Sequence, residues 1–438
     1  MMESVWNGTV ALPHFERLEG DRNTDVLIIG GGITGILCAY FLQERGIDYL
    51  LLEGEEICHG TTGNTTAKIT AQHGLIYAKL LKKAGLERAK LYLEANQRAV
   101  QKYAELAAAI PCDFEERNAY VYSLDNRKKL EREAEAYRML GLDDEIVEPI
   151  ELPFSTVGAV RMKKQAQFHP LKFISQIART LKIYEHSFVT QLLPGKALTE
   201  SGSVSYQKVI FATHFPIDNK HGAYFLKLYQ HRSYVIALEQ AAQIEGMYVD
   251  EAKKGMSFRC YDNLLFVGGA GHRTGKKSGN WQQLRGFASK YYPDAIERYH
   301  WAAQDCMPLD ETPYIGVYSK AMPDAYVATG FRKWGMTSAM VAAMILSDLV
   351  QGIESPYAEA FYPARNIFTK QLVCNGAESV FNLLTPTVPR CPHLGCALKW
   401  NPAERSWDCP CHGSRFSESG KLLDNPANGD RTRKLPTR

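Results

Sequence analysis

Residues 25–35 read D-V-L-I-I-G-G-G-I-T-G, a short strand-like run followed by closely spaced glycines. The apolar, β-branched character of the run predicts a strand that is buried on both faces. Gly30, Gly32 and Gly35 follow on the spacing G-x-G-x-x-G. In a strand–turn–helix unit the first glycine permits a tight turn, the second lets the backbone approach a pyrophosphate, and the third lets helix and strand pack closely.

The chain after this turn supports a dinucleotide site. Residues 36–45 predict a helix, residues 48–52 predict a second strand, and Glu53 ends that strand. An acidic residue at this distance from the glycines accepts hydrogen bonds from the ribose hydroxyls and repels a 2′-phosphate. The helix N-terminus presents unpaired N–H groups to the phosphates. The pattern therefore predicts FAD or NAD, and not NADP, as the ligand.

Length and composition indicate a large folded protein. The 438 residues correspond to two or three domains at about 150 residues each. Hydrophobic residues make up 45% and charged residues 23%, which excludes a disordered or fibrous chain. The last nine residues, 430–438, account for the whole net charge of +3. The neutral body argues against binding of nucleic acid.

No export signal and no membrane span are expected. Residues 1–22 contain charges and lack the apolar core of a signal peptide. The most apolar stretch, 338–350, is too short to cross a bilayer. We therefore expect a cytoplasmic protein, in which thiols stay reduced and clustered cysteines bind metal more readily than they form a disulfide scaffold.

Four of the ten cysteines lie close together in C-P-H-L-G-C-A-L-K-W-N-P-A-E-R-S-W-D-C-P-C-H-G-S, residues 391–414. Cys391 and His393 form C-x-H, and Cys409 and His412 form C-x-x-H. Two thiolates and two imidazoles are a ligand set for tetrahedral zinc. The alternating order, with one cysteine and one histidine in each loop, suits a two-iron, two-sulfur cluster with both imidazoles on one iron.

This pattern resembles that of a Rieske domain. The resemblance implies that the four residues hold a 2Fe-2S cluster and that Cys396 and Cys411 form the disulfide between the two loops. It also implies that Ser414 donates to a cluster sulfur and that Phe416 replaces a tyrosine donor, which predicts a lower potential than in the respiratory members. Strands normally precede the first ligand, whereas residues 365–384 predict a helix. The base of the domain is therefore expected to be abbreviated, with its loops leaning on the rest of the chain.

Further motifs follow the glycine turn along the chain. They are F-A-T at 211–213, D-E-T-P-Y-I-G at 310–316, and A-T-G-F followed by G-M-T within 328–337. In order and spacing these motifs resemble those of the FAD-dependent oxidoreductases of the D-amino-acid and glycine oxidase family. The resemblance spans about residues 24–352 and implies FAD as the cofactor.

The two resemblances imply an α/β fold (α+β overall). A Rossmann-like FAD-binding domain is expected to be interleaved with an antiparallel-sheet substrate domain, and a small all-β Rieske domain is expected at the C-terminus. The expected segments are an N-terminal extension at 1–23, the FAD-binding domain at 24–80, 150–215 and 318–352, the substrate or cap domain at 81–149 and 216–317, a partly helical linker at 353–385, and the abbreviated Rieske domain at 386–438.

The family resemblance also assigns residues to the flavin. It places a loop after the second strand at the pyrophosphate and ring, one backbone contact at the adenine, and the start of the last helix near the ring, where the helix dipole stabilises negative charge. The residues predicted to bind FAD are Gly30, Gly32, Gly35, Glu53, Thr62, Asn64, Thr65, Val189, Gly330, Met336 and Thr337. A second glycine-containing stretch at 269–271 predicts a turn near the flavin, because no helix follows it directly.

The substrate site is less sharply indicated. Amino-acid-oxidising relatives carry an arginine five positions before the aspartate of D-x-x-P-Y-I-G, and Asp305 stands there in this sequence. No residue is assigned as a general base. The candidate catalytic residues are His272 and Arg273 as flavin-side groups, and Arg332 and Lys333, which either supply positive charge or lie on the solvated surface.

The combination of cofactors predicts an FAD-dependent oxidoreductase with an iron–sulfur cluster. We expect it to oxidise a small molecule, an amine or amino-acid-like compound, and to pass electrons singly through the cluster to an external acceptor. The same cofactors could also carry electrons in the reverse direction, from an external donor through the cluster to the flavin. The alternative is an electron-transfer relay or redox sensor, which exchanges electrons with a protein partner and turns over no metabolite.

Overall fold

The structure is a computed structural model that describes residues 3–218, 221–276, 280–366, 368–386 and 389–431. The first two residues of the predicted N-terminal extension and most of the predicted basic tail lie outside the described residues.

The described residues contain α-helices and β-strands in a mixed order. The strands are β1 (Gly20–Ile29), β2 (Tyr49–Leu52), β3 (Lys68–Ile69), β4 (Glu115–Tyr122), β5 (Ile146–Val147), β6 (Ala159–Gln167), β7 (Ile183–Tyr184), β8 (Gln191–Leu193), β9 (Lys196–Leu198), β10 (Gly202–Phe211), β11 (Leu228–Glu239), β12 (Met247–Asp250), β13 (Ser257–Tyr261), β14 (Leu264–Arg273), β15 (Ile296–Pro308), β16 (Tyr314–Ser319), β17 (Met322–Thr329), β18 (Lys399–Asn401), β19 (Ser406–Asp408), β20 (Arg415–Ser417) and β21 (Leu422–Asp424). The helices are α1 (Ile33–Glu44), α2 (Tyr77–Ala107), α3 (Arg127–Met139), α4 (Pro170–Ala178), α5 (Tyr224–Lys227), α6 (Asn280–Tyr291), α7 (Gly335–Leu349), α8 (Ala358–Phe361) and α9 (Lys370–Leu384).

The first sheet has β1, the strand of the glycine motif, near its centre. The strand order is β16-β17-β10-β1-β2-β7, and the strands from β17 to β7 run parallel. The last four residues of β1 are buried, and α1 packs against α7 beside the sheet. A parallel sheet covered by helices is the arrangement that the apolar strand and the glycine turn predict.

The second sheet is almost entirely antiparallel. Its order is β15-β11-β14-β13-β12-β4-β6-β3, with β5 beside β6, and only the β12–β4 pair is parallel. The strand pairing differs from the predicted domain segments. Strand β6 belongs to this second sheet, although residues 150–215 were expected to belong to the FAD-binding domain. Likewise β16 begins at Tyr314, before the expected boundary at 317, and pairs with β17 in the first sheet.

The C-terminal part is a four-stranded antiparallel sheet of order β18-β19-β20-β21. It packs around a small core that contains Cys391, Cys409, Trp407 and Phe416. Between the end of α9 and Cys391, no strand is present among the described residues. This separate β-sheet and the two larger sheets confirm the predicted fold class.

None of the helices in the described part of the chain combines the length and the apolar character that crossing a membrane requires.

Candidate active site and metal centre

The glycine turn brings strand, loop and helix into close contact. Gly30 has a φ of +110°, and a Cβ on it would lie 2.6 Å from the carbonyl oxygen of Ala212. A Cβ on Gly35 would lie 1.9 Å from the carbonyl oxygen of Gly30. Gly32 starts α1 without a side-chain cap, and the N–H of Ile33 donates to the Thr62 hydroxyl at 3.1 Å. The turn therefore presents backbone, and no side chains, to a ligand.

Glu53 closes the second strand beside this turn. One carboxylate oxygen accepts from the N–H of Gly31 at 2.5 Å, and the other accepts from the N–H of Glu55 at 3.0 Å. Burial raises the pKa of Glu53, and the hydrogen bonds from backbone N–H groups oppose that shift. A carboxylate held in this way is an acceptor suited to ribose hydroxyls.

A cavity of about 1300 Å³ opens above the turn. Ligand pockets usually measure roughly 300–1,000 Å³, so this cavity has room for a large cofactor together with a small substrate. Two of the predicted FAD-binding residues do not line it: Gly35 packs beneath the turn, and the Thr337 hydroxyl donates to the Thr70 carbonyl at 3.0 Å. The other predicted residues line the cavity: Gly30, Gly32, Glu53, Thr62, Asn64, Thr65, Val189, Gly330 and Met336.

The loop at 61–66 is anchored by side chains that the sequence pattern did not single out. The indole N–H of Trp6 donates to the Thr65 carbonyl at 2.7 Å, and that of Trp301 donates to the Asn64 carbonyl at 3.0 Å. The buried Arg259 donates to the Thr66 carbonyl at 2.7 Å. These three hydrogen bonds to backbone carbonyls hold the loop in place as a wall of the cavity.

Charged side chains line the cavity near the start of α7. Arg332 and Lys333 are both among the lining residues, as is Asp305. Burial raises the pKa of Asp305 to about 6, and the charge of Lys333 opposes this shift. Arg332 lies 3.6 Å from a carboxylate oxygen of Glu311. The carboxylates of Glu311 and Asp305 thus partly balance the positive charges of Arg332 and Lys333 in the cavity.

Two further lining residues were missed by the sequence interpretation. Burial, and secondarily the charge of Arg259, lowers the pKa of Lys68 to about 7. Burial, and secondarily the charge of Lys333, lowers the pKa of His231 to about 3. Lys68 is the last residue of the hydroxyl-rich stretch at 58–68. Because Thr62, Asn64 and Thr65 of that stretch were predicted to bind FAD, Lys68 could have been included as a candidate.

The structure does not place His272 and Arg273 at the cavity. His272 contacts the Tyr234 hydroxyl at 3.2 Å, and Arg273 donates to the carbonyls of Pro410 and Cys411, each at 2.9 Å. They were expected as flavin-side groups, and residues 269–271 were expected to form a turn, but all of these residues lie within β14. Both residues instead lie at the C-terminal domain, because β14 extends past the cavity. His272 lies within range of the charges of Asp408 and Glu404, and Arg273 contacts the loop that carries Cys409 and His412.

The predicted metal ligands come together at the tips of two loops. The Cys391 and Cys409 thiols are buried and hydrogen-bonded to each other, and the rings of His393 and His412 lie 5.0 Å apart. Cys396 and Cys411 form a disulfide between the loops. The sulfur atoms of Cys396, Cys409 and Cys411 also lie within 4.8 Å of one another, but the disulfide occupies two of them.

The chemistry of this group fits an iron–sulfur cluster. Nδ1 of His412 is buried and has no hydrogen-bond partner among the described residues, as is expected of a ring nitrogen reserved for a metal. The same ring hydrogen-bonds the backbone of Phe225. The Ser414 hydroxyl hydrogen-bonds the Cys391 sulfur. The two thiols contact each other and the two imidazole rings contact each other, which suits a Rieske cluster with the thiolates on one iron and the imidazoles on the other.

One β-sheet separates the cavity from the metal centre. On β11, Tyr229, His231 and Ser233 line the cavity. The alternate residues face the other way: a Cβ on Gly413 would lie 2.2 Å from Gln230, and Arg232 forms an ion pair with Glu404. Side chains alternate between the two faces of a strand. The cavity and the metal centre therefore lie on opposite faces of the same sheet.

The C-terminal domain also forms part of the cavity wall. Residues 421–425 and 427–430 are among the lining residues. The side-chain amide of Asn425 donates to the carbonyls of Thr213 and Phe215 at 2.7 and 2.8 Å. The loop after β21 is thereby attached to the sheet that carries the glycine turn.

A dinucleotide cavity beside a buried centre of two cysteines and two histidines defines a flavoprotein with an iron–sulfur cluster. Comparison with known proteins is in agreement. The family model for FAD dependent oxidoreductases (DAO) matches residues 25–349, and the model for the Rieske [2Fe-2S] domain matches residues 382–436. The chain belongs to the DAO family of FAD-dependent oxidoreductases and carries a C-terminal Rieske domain.

Individual relatives are similar over nearly the whole chain or share the fold of its larger part. The putative Rieske 2Fe-2S iron-sulfur protein YhfW of Bacillus subtilis is 33% identical, over 97% of this chain and 96% of that protein. Glycine oxidase from Geobacillus kaustophilus superposes with a TM-score of 0.65 at 18% identity, over 79% of this chain and all of that one. L-proline dehydrogenase from P. horikoshii superposes with a TM-score of 0.67 at 17% identity, over 79% and 98% of the two chains.

These matches confirm the predicted family, the enzyme class and the two cofactors, FAD and a Rieske 2Fe-2S cluster. At less than 25% identity the two solved structures show the fold alone.

Proposed function

We propose that the chain oxidises a small molecule, an amine or amino-acid-like compound, at the cavity and passes the electrons singly through the Rieske centre to an external acceptor. A flavin takes up electrons in pairs and releases them singly, and a 2Fe-2S cluster carries one electron at a time. Each substrate molecule that loses two electrons thus requires two transfers across the sheet and two equivalents of a one-electron acceptor.

The single observation that carries this proposal is the shared sheet. Residues of β11 and β15 line the cavity with one face, and Gln230, Arg232 and Gln304 contact the Rieske domain from the other face. Layers packed on a β-sheet lie on the order of 10 Å apart. A separation of one layer favours direct transfer within the molecule, and the buried contacts favour a fixed distance.

The side of the metal centre away from the sheet is the expected exit for electrons. His412 is buried against the rings of Phe215 and Phe225, whereas His393 is half-buried. Leu394, next to His393, is exposed. A one-electron acceptor protein that docks here reaches the centre through the His393 ring.

The proposal is tested by anaerobic addition of candidate substrates to the oxidised holoprotein. Glycine and L-proline are the first probes, because the solved structures that share the fold include a glycine oxidase and an L-proline dehydrogenase. Flavin absorbance should bleach and the EPR signal of a reduced Rieske cluster should appear in the same sample. Wider pools of amines and amino acids follow if neither probe reacts.

Two cysteine variants make the test specific. Cys409→Ser removes a proposed cluster ligand, so the flavin should still bleach while no cluster signal develops. Cys374→Ser changes an exposed thiol and should behave as the wild type. A protein that no small molecule reduces, but that a reduced protein partner does reduce, would be a relay or sensor and would contradict the proposed enzyme.

A further inference from the structure

Gln304 lies on β15 between two residues that line the cavity. Ala303 and Asp305 line the cavity, and Gln304 itself is 2% exposed. Because side chains alternate along a strand, the Gln304 amide emerges on the face that carries the Rieske domain. The backbone of Gln304 stays in the wall that the cavity shares with the loop at 61–66.

The hydrogen bonds of Gln304 reach in three directions. Its backbone carbonyl accepts from the Thr61 hydroxyl at 3.1 Å. Its side-chain Nε2 donates to the Gly413 carbonyl at 2.9 Å, and its Oε1 accepts from the Thr274 hydroxyl at 2.9 Å. One residue therefore joins the loop at the flavin cavity to the loop at the metal centre.

Gly413 has little freedom to take another position. Its φ is +89°, a Cβ on it would lie 2.2 Å from Gln230, and its N–H donates to the Cys409 carbonyl at 2.9 Å. The carbonyl of Gly413 belongs to the second peptide after His412. A hydrogen bond to this carbonyl consequently restrains the Gly413–Ser414 peptide, one residue beyond a predicted cluster ligand.

We propose that Gln304 is a positioning residue for electron transfer, which holds the His412–Gly413 segment at a fixed distance from the cavity and supplies a bonded route between the two. This inference rests on the proposed function. The route runs from the Thr61 hydroxyl through the Gln304 carbonyl and side chain to the Gly413 carbonyl and the His412 backbone. Both electrons of each substrate oxidation cross it in succession, and no bond is formed or broken.

The test compares Gln304→Leu with a matched glutamine variant in the holoprotein. Gln167 is also buried on a strand and donates from Nε2 to a carbonyl, that of Cys260, at 2.8 Å, but it lies on β6. The flavin is reduced by a flash of photoexcited deazaflavin, and the appearance of the reduced cluster is followed. Gln304→Leu should slow this step about 10- to 100-fold, the usual cost of removing a partner that orients a metal ligand. Gln167→Leu should not slow it.

The pH dependence of the transfer rate in Gln304→Glu distinguishes a positioning role from a purely structural one. A neutral carboxylic acid donates to the Gly413 carbonyl, whereas an ionised one repels it. Burial raises a carboxyl pKa, and the nearest cation across the strands, Arg232, is already paired with Glu404. The transfer rate in Gln304→Glu should therefore recover as pH falls, relative to the wild-type profile. A Gln304→Leu rate equal to wild type, or a Gln304→Glu profile identical to wild type, would overturn the inference.

A second measurement separates this inference from the proposed function. Hydrogen exchange of the 409–414 amides, and the EPR line shape of the chemically reduced cluster, should change in Gln304→Leu and not in Gln167→Leu. If the wild type itself shows no transfer within the molecule, the proposed function fails, and these two readouts still decide the positioning role. Unchanged exchange and line shape would reject it.

Discussion

Ser414 and Phe416 determine how many hydrogen bonds the sulfur atoms of the metal centre receive. The buried Ser414 hydroxyl bonds to the Cys391 sulfur, and the fully buried Phe416 ring packs in the same small core without a donor. Donors to sulfur stabilise the reduced, more negative cluster and raise its potential.

Opposite shifts in potential are expected for changes at these two positions. Ser414→Ala should lower the midpoint potential of the cluster because it removes a donor, and Phe416→Tyr should raise the potential because it adds one. An EPR-monitored redox titration of the three proteins measures both effects. A potential that does not fall in Ser414→Ala would show that this hydroxyl does not act on the cluster.

Lys68 makes stability depend on pH. Burial lowers its pKa in the folded protein from 10.5 to about 7, so between these values the folded state binds fewer protons than the unfolded state. Stability then rises with pH, by up to about 1.4 kcal/mol per pH unit for a single group. Lys68→Met removes this dependence.

The melting temperatures of wild type and Lys68→Met at pH 7 and pH 9 measure the effect. The melting temperature of the variant should exceed that of the wild type by the largest amount near pH 7, and this difference should shrink at pH 9. An equal difference at both pH values would mean that Lys68 is charged in the folded protein.

The functional candidates differ in whether their roles could be predicted from the sequence. Cys391, His393, Cys409 and His412 stand in a spacing that few other sites use, so the Rieske domain could be predicted from them. Gln304 belongs to no motif, because its role depends on a strand having the cavity on one face and a separate domain on the other. That relation arises only from the tertiary structure.

At the scale of elements, a buried ion-pair network attaches the Rieske sheet to β11. Glu404 pairs with Arg232 and with Arg415, and Arg415 also pairs with Asp408 and Asp424. Although burial raises the pKa of Glu404, the two arginines lower it to about 2. Removing one member of a buried pair leaves the other charge uncompensated.

Glu404→Gln should lower the free energy of unfolding by about 3–5 kcal/mol at neutral pH. The stabilisation by Glu404 is present above its ordinary pKa of 4.5 and is lost as pH falls towards 2, so the deficit should shrink in acid. Chemical unfolding at pH 7 and pH 4 measures both effects. Exposed Glu418, which pairs with exposed Arg405, is the matched control, with an expected effect below about 1 kcal/mol.

The loop after β21 is predicted to retain the flavin. Asn425 joins this loop to the carbonyls of Thr213 and Phe215, and the loop forms part of the cavity wall. Asn425→Ala should therefore weaken FAD binding about tenfold, the equivalent of about 1.4 kcal/mol for two lost hydrogen bonds. Equilibrium dialysis of FAD against the apoprotein measures this constant, and an unchanged value would contradict the role of the loop.

Local elements were predicted more reliably than their partners. Leucine and alanine recur at helical spacing through residues 77–110, which predicts helical structure with a break near Gly85. The structure has α2 there, and Gly85 within it has a φ of +82°. The periodicity and the glycine were sufficient because both act within a few residues. The sheet to which β6 belongs was not predictable in the same way, because its partners β3 and β4 are paired through contacts distant in sequence.

At the scale of the whole molecule, the Rieske domain is built onto the flavoprotein rather than joined to it by a free linker. In the described residues its loops contact β11, β14 and β15, and its C-terminal segment lines the cavity. The abbreviated base expected from the sequence is consistent with this arrangement, since the flavoprotein sheet supports the cluster loops. The docking itself was not visible in the sequence, because Arg232, Arg273 and Gln304 lie outside any motif.

The measurement that addresses electron transfer between the two centres most directly is flash reduction of the flavin in the oxidised holoprotein, with the flavin and cluster signals followed together. The flavin signal should decay as the reduced cluster appears, with a rate that does not depend on protein concentration. A cluster that stays oxidised, or a rate proportional to protein concentration, would contradict transfer within one molecule.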